Sequence, residues 1–103
     1  MIRLIVNYGI PKDKKAFDTH YKETHIPLTQ AIPNLKGFEI SQGPVISSDS
    51  ENEIYLTAIL TYNCKTDMDS AMASIEGKAA VSDLSNFATG GVSLVTIDIK
   101  SLM

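Results

Sequence analysis

The hydrophobic period changes along the chain in one fixed order, which constrains the fold more than any other feature. Residues 1–9, Ile54–Tyr62 and residues 92–99 alternate apolar and polar side chains, a period of two that is typical of β-strands. In residues 13–32 and 66–84, apolar side chains recur every three or four positions, as on one side of a helix. The chain therefore begins and ends with strands and carries two helical segments between them.

The first helical segment is predicted to begin near residue 13 and to kink near its end. It brings Phe17, Tyr21, Thr24 and Leu28 onto one side of a regular helix. Pro27 removes a hydrogen-bond donor and disfavours helical geometry in the residue before it. We therefore expect a kink just after residue 25 and a brief continuation toward residue 32.

A second strand is predicted over residues 35–46, irregular toward its end, where Gly43 and Pro44 occur. The polar residues 47–52 after it predict a solvated turn. Because this connection to the third strand is short, we expect the second and third strands to run antiparallel.

The second helical segment is predicted to start at a cap formed by Thr66 or Asp67 and to be divided at Gly77. Its first part carries four apolar residues on one side, namely Met68, Ala71, Met72 and Ile75. The complete order is strand, helix, two strands, helix, strand. This order predicts an α+β, ferredoxin-like βαββαβ fold with an antiparallel four-stranded sheet.

Both helices of such a fold lie on one face of the sheet and leave the other face uncovered. If the even-numbered residues of the first strand face the helices, the uncovered face carries Ile5, Ile59, Val95 and Ile97. A second copy of the sheet is the simplest cover for these apolar side chains. We therefore expect a homodimer that forms a dimeric α/β barrel.

Composition indicates one ordinary globular domain, which we expect to span residues 1–103. The chain has 44% hydrophobic and 20% charged residues. The net charge of -3 and the absence of a basic run longer than Lys14 and Lys15 argue against nucleic acid as a partner. The single Cys64 excludes an intramolecular disulfide, and no apolar stretch reaches membrane-spanning length. We expect a cytoplasmic protein that does not bind membranes.

Two segments resemble the EthD family, which is named for a protein linked to ethyl tert-butyl ether degradation. They are FDTHYKETHIPL, residues 17–28, and SIEGKAAVSDLSNFATGGVSLV, residues 74–95. The His-x-Pro-Leu element, here His25, Pro27 and Leu28, carries over best. The resemblance implies a dimeric α/β barrel with a small-molecule pocket. The wider group includes cofactor-independent monooxygenases, isomerases, polyketide cyclases and haem-linked enzymes, so the reaction stays open.

His25 and Tyr8 are the candidate catalytic residues. An imidazole titrates close to neutral pH, and the kink at Pro27 would turn His25 toward the sheet as a general acid or base. Alternatively, His25 caps the last helical turn, where a positive charge is favoured by about 0.3 to 1 kcal/mol. Tyr8 ends the first strand, where its phenol would donate to a ligand carbonyl or to an enolate. Alternatively, it is an ordinary residue with a solvated hydroxyl.

The predicted pocket lies between sheet and helices, and five residues are its candidate walls: Tyr21, Leu28, Tyr62, Met72 and Phe87. The alternative is that these residues simply fill a core. His20 stands where the family often has an aromatic residue, so it receives no shared role.

We predict neither a metal site nor a cofactor. His20 and His25 would lie about 140° apart on a regular helix and could not chelate one ion. Gly90 and Gly91 lead into a strand and therefore do not form a phosphate-binding loop. Haem binding through His25 has no motif of its own in this sequence.

The leading hypothesis is a cofactor-independent oxidoreductase or isomerase that acts on a small apolar or aromatic oxygenated compound in a catabolic pathway. The alternative is a non-catalytic accessory or carrier protein that holds such a ligand for a partner oxygenase. A purely structural dimerisation module is the third class, and it predicts that Met72, Phe87 and Leu28 fill the space between sheet and helices.

Overall fold

The strands form one four-stranded antiparallel sheet in the order β2-β3-β1-β4, which confirms the predicted ferredoxin-like fold. The computed structural model describes residues 1–103. The strands are β1 (Ile2–Gly9), β2 (Gly37–Ile40), β3 (Ile54–Tyr62) and β4 (Val92–Asp98). The helices are α1 (Lys14–His20), α2 (Ile26–Gln30), α3 (Lys65–Ala73) and α4 (Ile75–Phe87), and a π-helical turn (Tyr21–His25) joins α1 to α2. None of these helices has the length and the apolar run that crossing a bilayer requires.

The core lies between the sheet and the helices. On β1 the four even-numbered residues are buried and the odd-numbered ones are half-buried, as the alternation predicts. Leu4, Val6 and Tyr8 lie opposite residues 60, 58 and 56 of β3. Tyr8 is therefore the last residue of β1 that points into the helical layer.

The opposite face of the sheet is apolar and uncovered. Ile5 lies between Ile59 on β3 and Val95 on β4. Val95 and Ile97 remain 45% and 38% exposed, although they belong to a strand. The predicted uncovered apolar face is therefore present.

The first helical segment differs from the prediction in the side that it buries. Phe17 and Tyr21 are buried as expected, but Thr24 is exposed. The inward positions that follow are His25 and Thr29. On a regular helix these positions, which are four residues apart, would spread over about 120°, twice the arc of about 60° of the predicted set.

The π-helical turn explains the difference. The backbone N–H of Ile26 bonds to the carbonyl of Tyr21, five residues earlier, so the turn contains one extra residue. Residues after it take the positions that their predecessors would have in a regular helix. The turn precedes Pro27, whose ring collides with the carbonyl four residues back in a regular helix. The distortion thus lies before His25, and not after it as predicted, and it turns His25 inward.

The second strand is shorter than predicted. β2 ends at Ile40. Ser41 extends the contact with β3, because its N–H donates to the carbonyl of Thr57 and its hydroxyl accepts from the N–H of Thr57. Gly43 has φ +76°, a left-handed conformation that ends regular pairing, and Pro44 has no N–H to donate. The predicted strand beyond residue 40 is therefore wrong.

The second helical segment is divided at Ser74, not at Gly77. Ser74 is extended, and its hydroxyl accepts a hydrogen bond from the N–H of Gly77 at 3.0 Å, which caps α4. A side chain at Gly77 would overlap the carbonyl of Ala71, so this glycine permits close packing of α4 on α3. Two further predictions for this segment are wrong. α3 begins at Lys65, so neither Thr66 nor Asp67 is its cap. Ile75 is predicted to lie on the buried side of the helix but is 85% exposed.

We predict that Ser74→Ala lowers the free energy of unfolding by about 0.5 to 2 kcal/mol, because the cap of α4 is lost. Urea denaturation followed by circular dichroism measures the change. Ser82→Ala is the matched control, because Ser82 is exposed within the same helix and caps nothing. Equal effects of the two substitutions would contradict the assigned role of Ser74.

Candidate functional site

A buried chain of three polar side chains joins β1, the π-helical turn and α4. The Tyr8 hydroxyl lies 3.4 Å from Nε2 of His25. The other ring nitrogen of His25, Nδ1, lies 2.9 Å from Oδ2 of Asp83. All three residues are buried, with 1%, 6% and 6% of their surface exposed. The two catalytic candidates predicted from sequence are therefore in contact, and Asp83 is a third member.

Asp83 receives hydrogen bonds from three side chains. His25 donates to Oδ2, and Asn86 donates to Oδ1 at 3.0 Å. His20 donates from Nε2 to both oxygens, at 2.9 and 3.0 Å. Burial raises the pKa of the Asp83 carboxyl, but these hydrogen bonds outweigh burial and hold its pKa below 3.8. Asp83 is therefore an ionised, buried carboxylate at neutral pH.

The ionised carboxylate determines which nitrogen of His25 carries hydrogen. A carboxylate only accepts hydrogen bonds, so Nδ1 of His25 must donate to it. In the neutral ring the lone pair is then on Nε2, which faces the Tyr8 hydroxyl. Burial lowers the pKa of His25 below 6.5, more than the bond and charge of Asp83 raise it. His25 is therefore an unprotonated base at neutral pH.

Tyr8 and Tyr21 are uncharged hydrogen-bond donors. Burial raises the pKa of both phenols above the ordinary value of 10.0. The 3.4 Å contact between Tyr8 and His25 is long, so a ligand atom can replace it easily. The Tyr21 hydroxyl is buried and has no hydrogen-bond partner within the chain. Two phenol donors are therefore available to a bound oxygen.

Phe87 holds the imidazoles in place. Its ring centroid lies 4.7 Å from that of His25 and 5.0 Å from that of His20, with which it is stacked. Tyr8 and Tyr21 contact the same ring at 5.6 and 5.8 Å. This aromatic cluster surrounds His25 with low-polarity surface and restricts its rotation.

A cavity of about 40 Å³ lies between the sheet and the helices, and both Tyr8 and His25 line it. One water needs roughly 10 to 15 Å³ of such volume, so the space holds only a few atoms. Two lining residues, Val81 and Leu94, are 48% and 47% exposed. The cavity therefore opens to the surface between α4 and β4.

Two larger concavities, of about 760 and 670 Å³, lie along the connection between β2 and β3. Neither contains His25, and Tyr8 lines only the smaller of them. Both are wide surface depressions bordered by acidic and serine side chains. The small cavity is the better candidate site, because it alone combines the buried base with the two phenols.

The predicted wall residues are divided between the cavity and its surroundings. Tyr21 and Met72 line the cavity. Leu28 does not, because the extra residue of the π-helical turn places Thr29 there instead. Tyr62 is fully buried outside the lining, and burial raises its pKa to about 12. Phe87 packs behind His25 rather than in the lining.

His20 lies close to His25, contrary to the angle expected for a regular helix. The π-helical turn between them brings both imidazoles onto the same carboxylate. The predicted separation of about 140° between the two histidines is therefore wrong. No group of three or more His, Cys, Asp or Glu side chains is arranged to hold a metal ion.

Sequence reasoning missed Asp83, although a signal for it was present. The buried side of α4 consists of Gly77, Ala80, Asp83 and Phe87, at helical spacing. A carboxylate among buried apolar residues needs hydrogen-bond donors. The two histidines of the first helical segment are the donors that could have been matched to it.

The lowered pKa of His25 predicts how stability depends on pH. Below pH 6.5 the unfolded imidazole takes up a proton more readily than the folded one, so acid favours unfolding. The free energy of unfolding should therefore fall as pH decreases from 6.5, by about 1.4 kcal/mol for each unit of pKa depression. Chemical denaturation between pH 7.5 and about 4.5 measures this slope.

His25→Gln tests the assignment, because the amide still donates to Asp83 but does not titrate. The slope just below pH 6.5 should be shallower in this variant. An unchanged slope would contradict the assignment of the acid sensitivity to His25.

Comparison with known proteins identifies the family of this chain. No family model matches the chain. An uncharacterized 11.0 kDa protein in the thcB-thcC intergenic region of Rhodococcus erythropolis is 35% identical over 103 residues, which cover 100% of this chain and 99% of that protein.

Two solved structures show the same architecture. A dimeric ferredoxin-like protein of unknown function from Thermobifida fusca is 14% identical, with a TM-score of 0.69 over 95% of this chain and 90% of that one. An ethyl tert-butyl ether d (EthD) family protein from Bacillus halodurans is 34% identical, with a TM-score of 0.84 over 97% of this chain and 99% of that one. At this identity and coverage, the chain belongs to the EthD family.

Proposed function

We propose that this EthD family protein acts as a single domain over residues 1–103 and binds a small oxygenated compound beside His25, from which it removes a proton. One observation carries the proposal: His25 lines the cavity, with Nδ1 2.9 Å from the Asp83 carboxylate and Nε2 3.4 Å from the Tyr8 hydroxyl. Proton abstraction requires a base whose lone pair is directed at the substrate, and a fixed tautomer of His25 provides one. No cofactor is needed for this step.

Tyr8 and Tyr21 are proposed to bind the oxygen of the substrate. Removing a proton next to a carbonyl leaves negative charge on the carbonyl oxygen, which hydrogen-bond donors stabilise. The Tyr8 hydroxyl lies 3.4 Å from Nε2 of His25, so it can reach a carbonyl oxygen two bonds away from the reacting carbon. The buried, unpartnered hydroxyl of Tyr21 gains a hydrogen bond that it lacks without ligand.

The lining restricts the substrate class. Thirteen of the sixteen lining residues are hydrophobic, so the remainder of the substrate must be largely apolar or aromatic. The cavity of about 40 Å³ is smaller than the usual small-molecule site of roughly 300 to 1,000 Å³. A larger substrate therefore has to displace the exposed side chains of Val81 and Leu94 at the opening.

The carbanion formed in this way has two chemical continuations. In isomerisation, His25 returns the proton to a different carbon of the substrate. In oxidation, dioxygen is the co-substrate, and a CH₂ group plus O₂ becomes a carbonyl plus water. Both begin with the same proton transfer, and consumption of dioxygen during turnover distinguishes them.

Deuterium incorporation from D₂O tests the shared first step without knowledge of the natural product. A panel of small ketones, dicarbonyl compounds and phenols is incubated with the protein, and loss of C–H signals is followed by proton NMR. We expect His25→Gln to slow incorporation about 100-fold or more. Tyr8→Phe should slow it about 100-fold, because one donor to the developing oxyanion is lost.

Tyr55→Phe is the matched control for Tyr8→Phe. The Tyr55 hydroxyl donates to Asp18 at the surface, and Tyr55 does not line the cavity. Its loss should leave incorporation unchanged. If compounds raise the melting temperature but none exchanges, and His25→Gln binds them equally well, the protein is a carrier and the catalytic proposal fails.

We further propose that the uncovered face of the sheet binds a second copy of the chain. Its apolar residues Ile5, Ile59, Val95 and Ile97 are exposed or half-buried. Nε of Arg3, on the same face, is buried without a hydrogen-bond partner. The structural neighbour from Thermobifida fusca is itself dimeric. These three observations support a face that is covered in solution.

Val95→Asp tests this interface, because a charge placed on the uncovered apolar face opposes the burial of that face. Light scattering after gel filtration should give a dimer for the wild type and a monomer for the variant. Leu102→Asp is the control, since Leu102 is 84% exposed outside the sheet and should leave the dimer intact. A monomeric wild type, or a dimeric Val95→Asp, would contradict the proposed interface.

A further inference from the structure

The Asp83 carboxylate is shared between two imidazoles of different exposure. Its Oδ2 lies 2.9 Å from Nδ1 of His25 and 3.0 Å from Nε2 of His20. The side chains of His25 and Asp83 are 7% and 6% exposed, whereas that of His20 is 28% exposed. The carboxylate is thus contacted by a buried ring on the cavity side and by a partly solvated ring on the outer side.

Because the Asp83 carboxylate accepts hydrogen bonds from two imidazoles, its hydrogen bond to each of them is weaker. A carboxylate that already receives donors is a poorer acceptor for another, because part of its charge is compensated. A protonated His20 would strengthen this competition by adding a full positive charge next to His25.

We propose that His20 is a positioning residue that acts through Asp83 to keep His25 unprotonated and correctly oriented. The proposal rests on the proposed role of His25 as the base. His20 does not line the cavity and cannot touch a substrate there. It fixes the carboxylate from the outside, and its stacking on Phe87 at 5.0 Å fixes His20 itself.

Of the groups packed around His25, His20 is the one that can carry a positive charge. Tyr8 faces it from β1, Tyr21 lies one turn earlier on the π-helical turn, and Asp83 faces it from α4. Both phenols are uncharged, because burial raises the pKa of each. The charge of His20 lowers the pKa of His25, in agreement with the geometry.

Two substitutions of His20 separate its hydrogen bond from its charge. His20→Gln keeps a donor to Asp83 but carries no charge, and His20→Phe keeps the stack on Phe87 but provides neither. The pKa of His25, measured by NMR titration of histidine labelled with ¹⁵N, should rise in a graded way. We expect about half a unit in His20→Gln and about one unit in His20→Phe.

Lys22→Gln is the matched control. Lys22 is an exposed cation on the same π-helical turn and makes no hydrogen bond or ion pair with Asp83. Because solvent screens it, its loss should shift the pKa of His25 by less than about 0.2 unit. A comparable shift in Lys22→Gln would show that general surface charge, and not the shared carboxylate, controls His25.

The titration needs no substrate, so it separates this proposal from the proposed function. A graded rise in His20→Gln and His20→Phe, without a comparable shift in Lys22→Gln, supports the positioning role even if no compound exchanges deuterium. An unchanged or lowered pKa of His25 in His20→Phe overturns it even if His25 proves catalytic. Once a substrate is known, the acidic limb of the pH–rate profile should move to higher pH in His20→Phe by the same shift.

Discussion

The candidate site depends on one buried negative charge. Asp83 lies among apolar residues of α4, where an ionised carboxylate is stable only with several hydrogen bonds. His20, His25 and Asn86 supply them, and a hydrogen bond to a charged group contributes about 1.5 to 3 kcal/mol. Once the carboxylate is ionised, Nδ1 of His25 must carry hydrogen, and Nε2 is left as the base. The tautomer of the proposed base therefore follows from the hydrogen bonds that keep Asp83 ionised.

A local irregularity makes this arrangement possible. On a regular helix, residues five positions apart diverge by about 140°, and His20 and His25 could not meet one carboxylate. The extra residue of the π-helical turn removes most of this divergence. Such turns cost hydrogen-bond geometry and are common at functional sites. Here the turn places Thr29, and not Leu28, on the cavity side of the helix.

The fold could be predicted from sequence because the alternating and helical patterns of apolar residues follow directly from which side chains are buried. Ile54–Tyr62 has the predicted bounds, and β1 buries the predicted face. The errors occur where the backbone departs from a regular period, at the end of β2, at the π-helical turn and at the extended Ser74. Tyr8 and His25 could be named from residue chemistry and family resemblance. Predicting the role of Asp83 would have required knowing that α4 packs against the first helical segment. The hydrophobic period of a single segment does not contain this information.

The most direct test of the account is the protonation state of His25 in the free protein. Protein with histidine labelled with ¹⁵N is examined by long-range proton–nitrogen correlation at pH 7, with His25→Gln used to assign the signals. The account predicts a neutral ring that carries hydrogen on Nδ1 and none on Nε2. A ring that carries hydrogen on Nε2, or on both nitrogens, would contradict it, because His25 would then have no lone pair directed at the cavity.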